Sequence, residues 1–291
     1  MTSDLSGMAT IALPRLPLGD PHDCTDANDE LSLYLAFYDT LVKRRNGHYV
    51  PHLARSWRVG EDARSWTFEL RPGIRFHDGA TCDAAAVAAS LRRMAREDKG
   101  YTLGSPAVWR QYLGDAEIDA DGLTLRIHLG APVADLLDVL VQGFIVAPSI
   151  FERLDSGERA LACGTGPYIA ETFATGLVGA RRNPDWFAGQ PANAGLRFVL
   201  EPDTGTRLAM LLDGRAQLAN TLDPTADGPS CIDGVTLHRF AAPVAIIYLL
   251  NAAKGPLADA RVRLALSLAV DREALIGAVL PGAADPLQGF V

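Results

Sequence analysis

Hydrophobic positions recur along this chain with two periods. Trp66, Phe68 and Leu70 alternate with polar residues, as do Trp57 and Val59, the pattern of half-buried strands. Ile74 and Phe76 follow, and Asp78-Gly79 closes a turn. Elsewhere the period is that of a helix: Leu31, Tyr34, Leu35, Tyr38 and Leu41 share a face over 30–42. Val87, Leu91 and Met94 share one running from a cap at Thr81 or Asp83 to about Arg96. The same reading predicts a strand over 11–16 broken by Pro14 and Pro17, and a hairpin of 116–120 and 123–129 around Asp121-Gly122. Short helices follow over 133–141 and 148–154, then strands over 168–173, 177–182 and 196–200. A helix over 204–212 is stopped by Asp213-Gly214. Strands over 217–220, 235–240 and 244–251 and helices over 258–270 and 272–280 complete the chain. This order has no regular βαβ rhythm, so it predicts mixed sheets and more than one lobe.

Composition narrows the function classes. The 291 residues are 48% hydrophobic and 21% charged, enough to build a sizeable core. The net charge is -8, and the basic runs Lys43-Arg44-Arg45, Arg92-Arg93 and Arg181-Arg182 are short. They read as solvated surface, and nucleic acid is not an expected partner. No apolar run reaches the ~18–20 residues of a membrane helix. Met1 to Ala12 shows no basic start followed by an apolar stretch. Two expectations follow: a cytoplasmic chain, or a mature periplasmic or cell-surface protein whose leader was removed.

Catalytic chemistry finds little support. Cys24, Cys82, Cys163 and Cys231 form no C-x-x-C pair, so neither a zinc site nor a thioredoxin-like motif is indicated; free buried thiols are expected, with one or two disulfides as the alternative in an oxidising compartment. The six histidines form no H-E-x-x-H motif. His77-Asp78 lies one residue before a turn glycine and reads as structural. Gly164-Thr165-Gly166 lacks the third glycine of a dinucleotide loop, and no G-x-S-x-G elbow is present. No cofactor and no metal are expected.

One run of motifs is far more specific. Val50-Pro51-His52-Leu53-Ala54-Arg55-Ser56-Trp57, then Asp62, then Trp66-Thr67-Phe68-Glu69-Leu70-Arg71-Pro72-Gly73-Ile74-Arg75-Phe76-His77-Asp78-Gly79 resembles the signature of bacterial family 5 solute-binding proteins. This is the peptide- and nickel-binding class serving ABC importers. In the family's order, Tyr38-Asp39-Thr40-Leu41-Val42 resembles its Y-x-x-L-V segment and Gly164-Thr165-Gly166-Pro167-Tyr168 its G-T-G-P-Y. Arg182-Asn183-Pro184-Asp185-Trp186-Phe187 and Asn251 with Arg261 to Arg272 follow in turn.

The resemblance implies an α/β fold of the periplasmic-binding-protein type II, three-domain class. Residues 1–46 plus 165–250 would form a discontinuous first lobe, 47–164 an additional α/β domain, and 251–291 the start of a truncated second lobe. Family members continue well beyond this length, and in peptide binders the aspartate pairing with the ligand's amino end lies in that further part. The implied function is capture of a peptide or similar small solute for an ABC permease, without a covalent step. The alternative is a cytoplasmic sensing domain of the same fold linked to transcription regulation. The loop Asp20-Pro21-His22-Asp23-Cys24-Thr25-Asp26-Ala27-Asn28-Asp29 would line the cleft, with Cys24, Thr25 and Asp29 as ligand contacts and Gly166 contributing backbone. The two arginines that hold an anionic chelate in nickel-importing relatives have no counterpart near Pro106 and Val141, although Arg110 is close to the first. Trp57 and Trp66 are expected in the core.

Overall fold

A computed structural model describes residues 7–16, 19–23, 28–99, 105–158, 161–222, 231–232, 235–238, 246–280 and 282–287. The chain divides into two compact units, Met1–Thr221 and Leu222–Val291.

Alternation along β5 (Ser65–Leu70) puts Trp66, Phe68 and Leu70 on a buried face. β5 pairs with β4 (Ala54–Val59) on one side and β7 (Thr124–His128) on the other, and β6 (Glu117–Asp121) closes an antiparallel sheet of order β4-β5-β7-β6. Helix α2 (Ala84–Met94) packs its buried face, Val87, Ala88, Leu91 and Met94, against this sheet. Burying each large side chain contributes ~1.5–3 kcal/mol. Asp83 is its N-cap, the carboxylate accepting from the Ala86 N–H at 2.9 Å. Around this layer lie α3 (Ser105–Leu113), α4 (Leu136–Leu140) and α5 (Phe151–Asp155). Trp66 is buried, whereas Trp57 is only partly covered at the edge strand.

The second sheet takes its strands from both ends of the unit. β1 (Met8–Leu13) lies between β11 (Leu218–Ala219) and β10 (Gly195–Leu200), parallel to both. β9 (Leu177–Arg182) and β8 (Tyr168–Ala174) continue antiparallel, giving β11-β1-β10-β9-β8. One face carries Leu13, Leu196 and Phe198 and is covered by the segment of α1 (Asn28–Tyr34) and Phe37. The other carries Ala12 and Val199, against Met210 of α6 (Thr204–Leu212).

Several elements differ from the sequence reading. β1 ends at Leu13, because Pro14 has no N–H for the ladder. The helix expected over 30–42 stops at Tyr34, because the next carbonyls bond across the fold: Phe37 O accepts from Gly166 N at 2.9 Å and Ala36 O from Tyr168 N at 3.0 Å. Beyond it, β2 (Val42–Arg45) and β3 (His48–Pro51) form an unforeseen hairpin. Asn46 and Gly47, with φ of 50° and 79°, supply its left-handed turn. The helix over 133–141 shortens to α4.

In the second unit, β12 (Cys231–Ile232) and β13 (Val235–Thr236) pair antiparallel, and α7 (Ala260–Ala269) and α8 (Arg272–Val279) are each capped by an aspartate, Asp259 and Asp271. Residues 246–250 form no strand. No described helix is long and apolar enough to cross a membrane.

Candidate functional site

The parallel strands β1, β10 and β11 emit their carboxyl ends at one edge of the five-stranded sheet. From β1 the chain turns to α1 on one face; from β10 it turns to α6 on the opposite face. Adjacent parallel strands whose connections part in this way leave a crevice at their carboxyl ends, the usual ligand position in open α/β sheets.

Two arginines organise this edge. Arg207 of α6 is 2% exposed and spends its guanidinium on backbone: Nη1 donates to the carbonyls of Glu201 (2.7 Å) and Pro202 (2.8 Å), and Nη2 to that of Thr221 (2.6 Å) and to Thr204 Oγ1 (3.1 Å). It thereby ties the exits of β10 and β11 together. Thr221 has φ of 52°, uncommon for a β-branched residue, and its N–H donates to Asn220 Oδ1 at 2.8 Å. Arg15, two residues beyond β1, is exposed. Its Nε and Nη2 donate to Asp29 Oδ2 at 2.6 Å and Oδ1 at 2.9 Å.

The loop expected to line a cleft is anchored in its first half. Asp20 receives Arg93 Nη1 at 3.1 Å and Nη2 at 2.5 Å, and Lys99 Nζ at 2.8 Å; Asp155 receives Arg93 at 2.6 Å and Arg96 at 2.7 Å. Burial alone would raise the Asp155 carboxyl, but hydrogen bonds from Arg96 and Arg93 outweigh it and hold it at about 2. His22 is fully buried: Nδ1 accepts from Arg93 Nη1 at 2.8 Å and Nε2–H donates to the Phe144 carbonyl at 3.1 Å. Burial lowers it to about 4, the nearby Asp20 carboxylate offsetting only part of the effect. Asp20 to His22 are thus fastened to α2, not presented as free polar groups.

Of the four predicted site residues, Cys24 and Thr25 lie outside the described residues. Asp29 has a side chain 3% exposed and is engaged by Arg15. Gly166 is held within the scaffold: its N–H donates to Phe37 O, and its carbonyl accepts from His77 Nε2 and Asn183 Nδ2, both at 3.0 Å. A Cβ there would stand 2.4 Å from the Phe37 carbonyl carbon, so the close approach of two backbones requires glycine. His77, bonded through Nδ1 to the Gly164 N–H at 3.4 Å, belongs to the same joint.

Beside that joint lies a buried carboxylate that sequence reasoning did not single out. Asp39 accepts from His52 Nε2 at 2.5 Å, Thr165 Oγ1 at 3.0 Å and Trp186 Nε1 at 3.0 Å, with Lys43 Nζ at 3.8 Å. Burial favours its neutral form, but His52 and Lys43 overcome this and lower its pKa. Every partner comes from a motif quoted above or its flank; the signal was their shared presence, not their spacing. An open groove of about 430 Å³ on the α1 face of the sheet, lined by Ile11, Leu13, Leu35, Phe198, Leu218 and Asn220, is largely apolar.

Residues 48–291 match the family model described as bacterial extracellular solute-binding proteins, family 5 Middle. The chain belongs to this family. A glutathione-binding protein, GsiB, of Salmonella paratyphi A is 31% identical, the alignment covering 94% of this chain and 53% of the relative. A probable di/tripeptide-binding protein of Pseudomonas aeruginosa is 30% identical over 92% of this chain and 58% of its own. The chain therefore spans about half the length of these family 5 relatives. A crystal structure of a dipeptide-binding protein from Pseudoalteromonas sp. SM9913 in complex with Met-Leu shares the fold, with a TM-score of 0.76 at 20% identity, covering 95% of this chain and 59% of that one. The type II fold read from the motifs is the fold observed.

Proposed function

We propose that this family 5 chain takes part in capturing a peptide-like small solute for an ABC importer, by binding alone and without a covalent step. The observation that carries the reading is the family match over 48–291, joined to a carboxyl-edge crevice of the kind that holds ligands in open α/β sheets. Names of relatives support the ligand class: glutathione and di- or tripeptides. The mechanism is differential affinity for a closed state, with the periplasm or cell surface as the place of action. Cys24, Thr25 and Asp29 remain the proposed contacts from the loop after β1, and the backbone around Gly166 a proposed wall. The division into a first lobe of 1–46 and 165–250, an additional domain of 47–164 and a second lobe from 251 is likewise our proposal. The separate sheets β11-β1-β10-β9-β8 and β4-β5-β7-β6 support its first two parts.

The test is calorimetric titration of the protein with glutathione and a panel of di- and tripeptides. Saturable binding of any of these is the expected result. Binding of none of them, together with tight binding of a sugar or an unrelated metabolite, overturns the peptide reading.

A further inference from the structure

We infer that Arg15 is a ligand-binding residue that takes a carboxylate of the solute on the free edge of its guanidinium; this rests on the solute-binding reading above.

The guanidinium has five N–H donors in a planar fork. Asp29 occupies one side of it, through Nε and Nη2. Nη1 and the outer N–H of Nη2 donate no hydrogen bond among the described residues, Glu30 acting on the guanidinium only through its charge, and that end of the fork matches a second carboxylate in bidentate fashion. The two sides of the pair differ sharply in exposure: the Arg15 side chain is 68% exposed and that of Asp29 3%.

As a device for stability the arrangement is poor. An exposed arginine in an ion pair gains little, while the carboxylate bears the cost of burial. As a device for holding an arginine still it is effective. Asp29 sits at the start of α1, also accepts from the Glu30 N–H at 3.2 Å, and grips Nε and Nη2 together, so the fork is oriented before a ligand arrives.

Position supplies the second strand of the argument. Arg15 leaves β1 at the carboxyl edge where β1 turns to α1 and the neighbouring β10 turns to α6. That is where the topology opens a crevice. Arg207, the other arginine of this edge, is buried and spends both Nη nitrogens on the chain's own carbonyls and the Thr204 hydroxyl. Of these two, only Arg15 has donors that a solute can reach, since the one unpartnered N–H of Arg207, at Nε, is buried. The ligand class that follows is a solute with a free carboxylate, which a peptide offers at its carboxyl end.

The test compares di- and tripeptides as free acids and as C-terminal amides, titrated into the full chain, Arg15→Lys and Arg15→Met. The unchanged protein is expected to prefer each acid over its amide at least tenfold. Arg15→Met should bind both forms alike, and Arg15→Lys, which keeps the charge and loses the fork, should retain only part of the preference. Because Arg15→Met leaves Asp29 buried and unpaired, Arg15→Met with Asp29→Asn serves as a second variant whose fold is checked by its thermal midpoint. Equal affinity of the unchanged protein for acids and amides overturns the role of Arg15 while leaving peptide capture standing. So does a preference that survives Arg15→Met. Binding of no peptide in either form overturns both.

Discussion

Asp39 joins chain segments separated by more than a hundred residues, since its carboxylate holds His52, Thr165 and Trp186 at once. Removing one partner of a buried charged network leaves the others uncompensated. Asp39→Ala is therefore expected to cost about 3–5 kcal/mol, measured as a shift of the urea midpoint. Trp66→Ala should cost about 3–5 kcal/mol by loss of a buried ring. His22 gives the first unit a dependence on pH whose sign follows from its environment. Its ring is neutral in the fold and titrates near 4, whereas an unfolded histidine titrates near 6.5. Between those values the unfolded chain binds more protons, so stability falls as pH drops from about 6.5 to about 4. The shift corresponds to at most about 3 kcal/mol. Asp155, held at about 2, adds a second loss: its contribution is complete above the ordinary carboxylate range and disappears as pH falls from about 4 towards 2. Urea midpoints measured from pH 7 to 3 should decline in two stages, and His22→Gln should flatten the first. Of these roles only that of Trp66 was legible in the sequence, from its alternation with Phe68 and Leu70; those of Asp39, His22 and Asp155 were not. Asp39 and His52 stood inside recognised motifs, but a hub is defined by partners that only the fold brings together.

At the scale of elements, strong local signals were read correctly and contested ones were not. β5, α2 and the β6–β7 hairpin follow their alternation, cap and Asp-Gly turn. The β2–β3 hairpin had an equally direct signal in Asn46-Gly47, which the apolar face of the preceding helix obscured. Ser105-Pro106 is a helix start of known type, passed over before α3. The shortening of α1 had no local signal, since carbonyls of Ala36 and Phe37 are claimed by the strand start at Gly166 and Tyr168. That junction is the point to break. Gly166→Ala forces a methyl group into the backbone of Phe37 and is expected to destabilise the protein by at least about 1–3 kcal/mol, read from thermal unfolding. Asp83→Ala, which only removes the cap of α2, should cost about 1 kcal/mol.

For the whole molecule, the fold class was legible because the family motifs are mostly turns, strand starts and buried anchors, the features that survive divergence. The binding edge was less so: Arg15 belongs to no motif, and its meaning depends on Asp29 and on the opposite exits of β1 and β10. A ligand that binds only the folded state raises stability by mass action, about 2.7 kcal/mol at a hundred times Kd. A rise of thermal midpoint with peptide concentration is thus expected. The first unit also carries its own record of how often it opens. Cys82 and Cys163 are free and buried, and burial pushes the Cys163 thiol up to about 11 and Cys82 well above its ordinary value. Thiolate, not thiol, attacks an alkylating reagent, so in the native state both are silent and only chains that have transiently opened become marked. Followed peptide by peptide in a mass spectrometer, the marking of these two sulfurs becomes a clock for opening, and one that a bound solute slows.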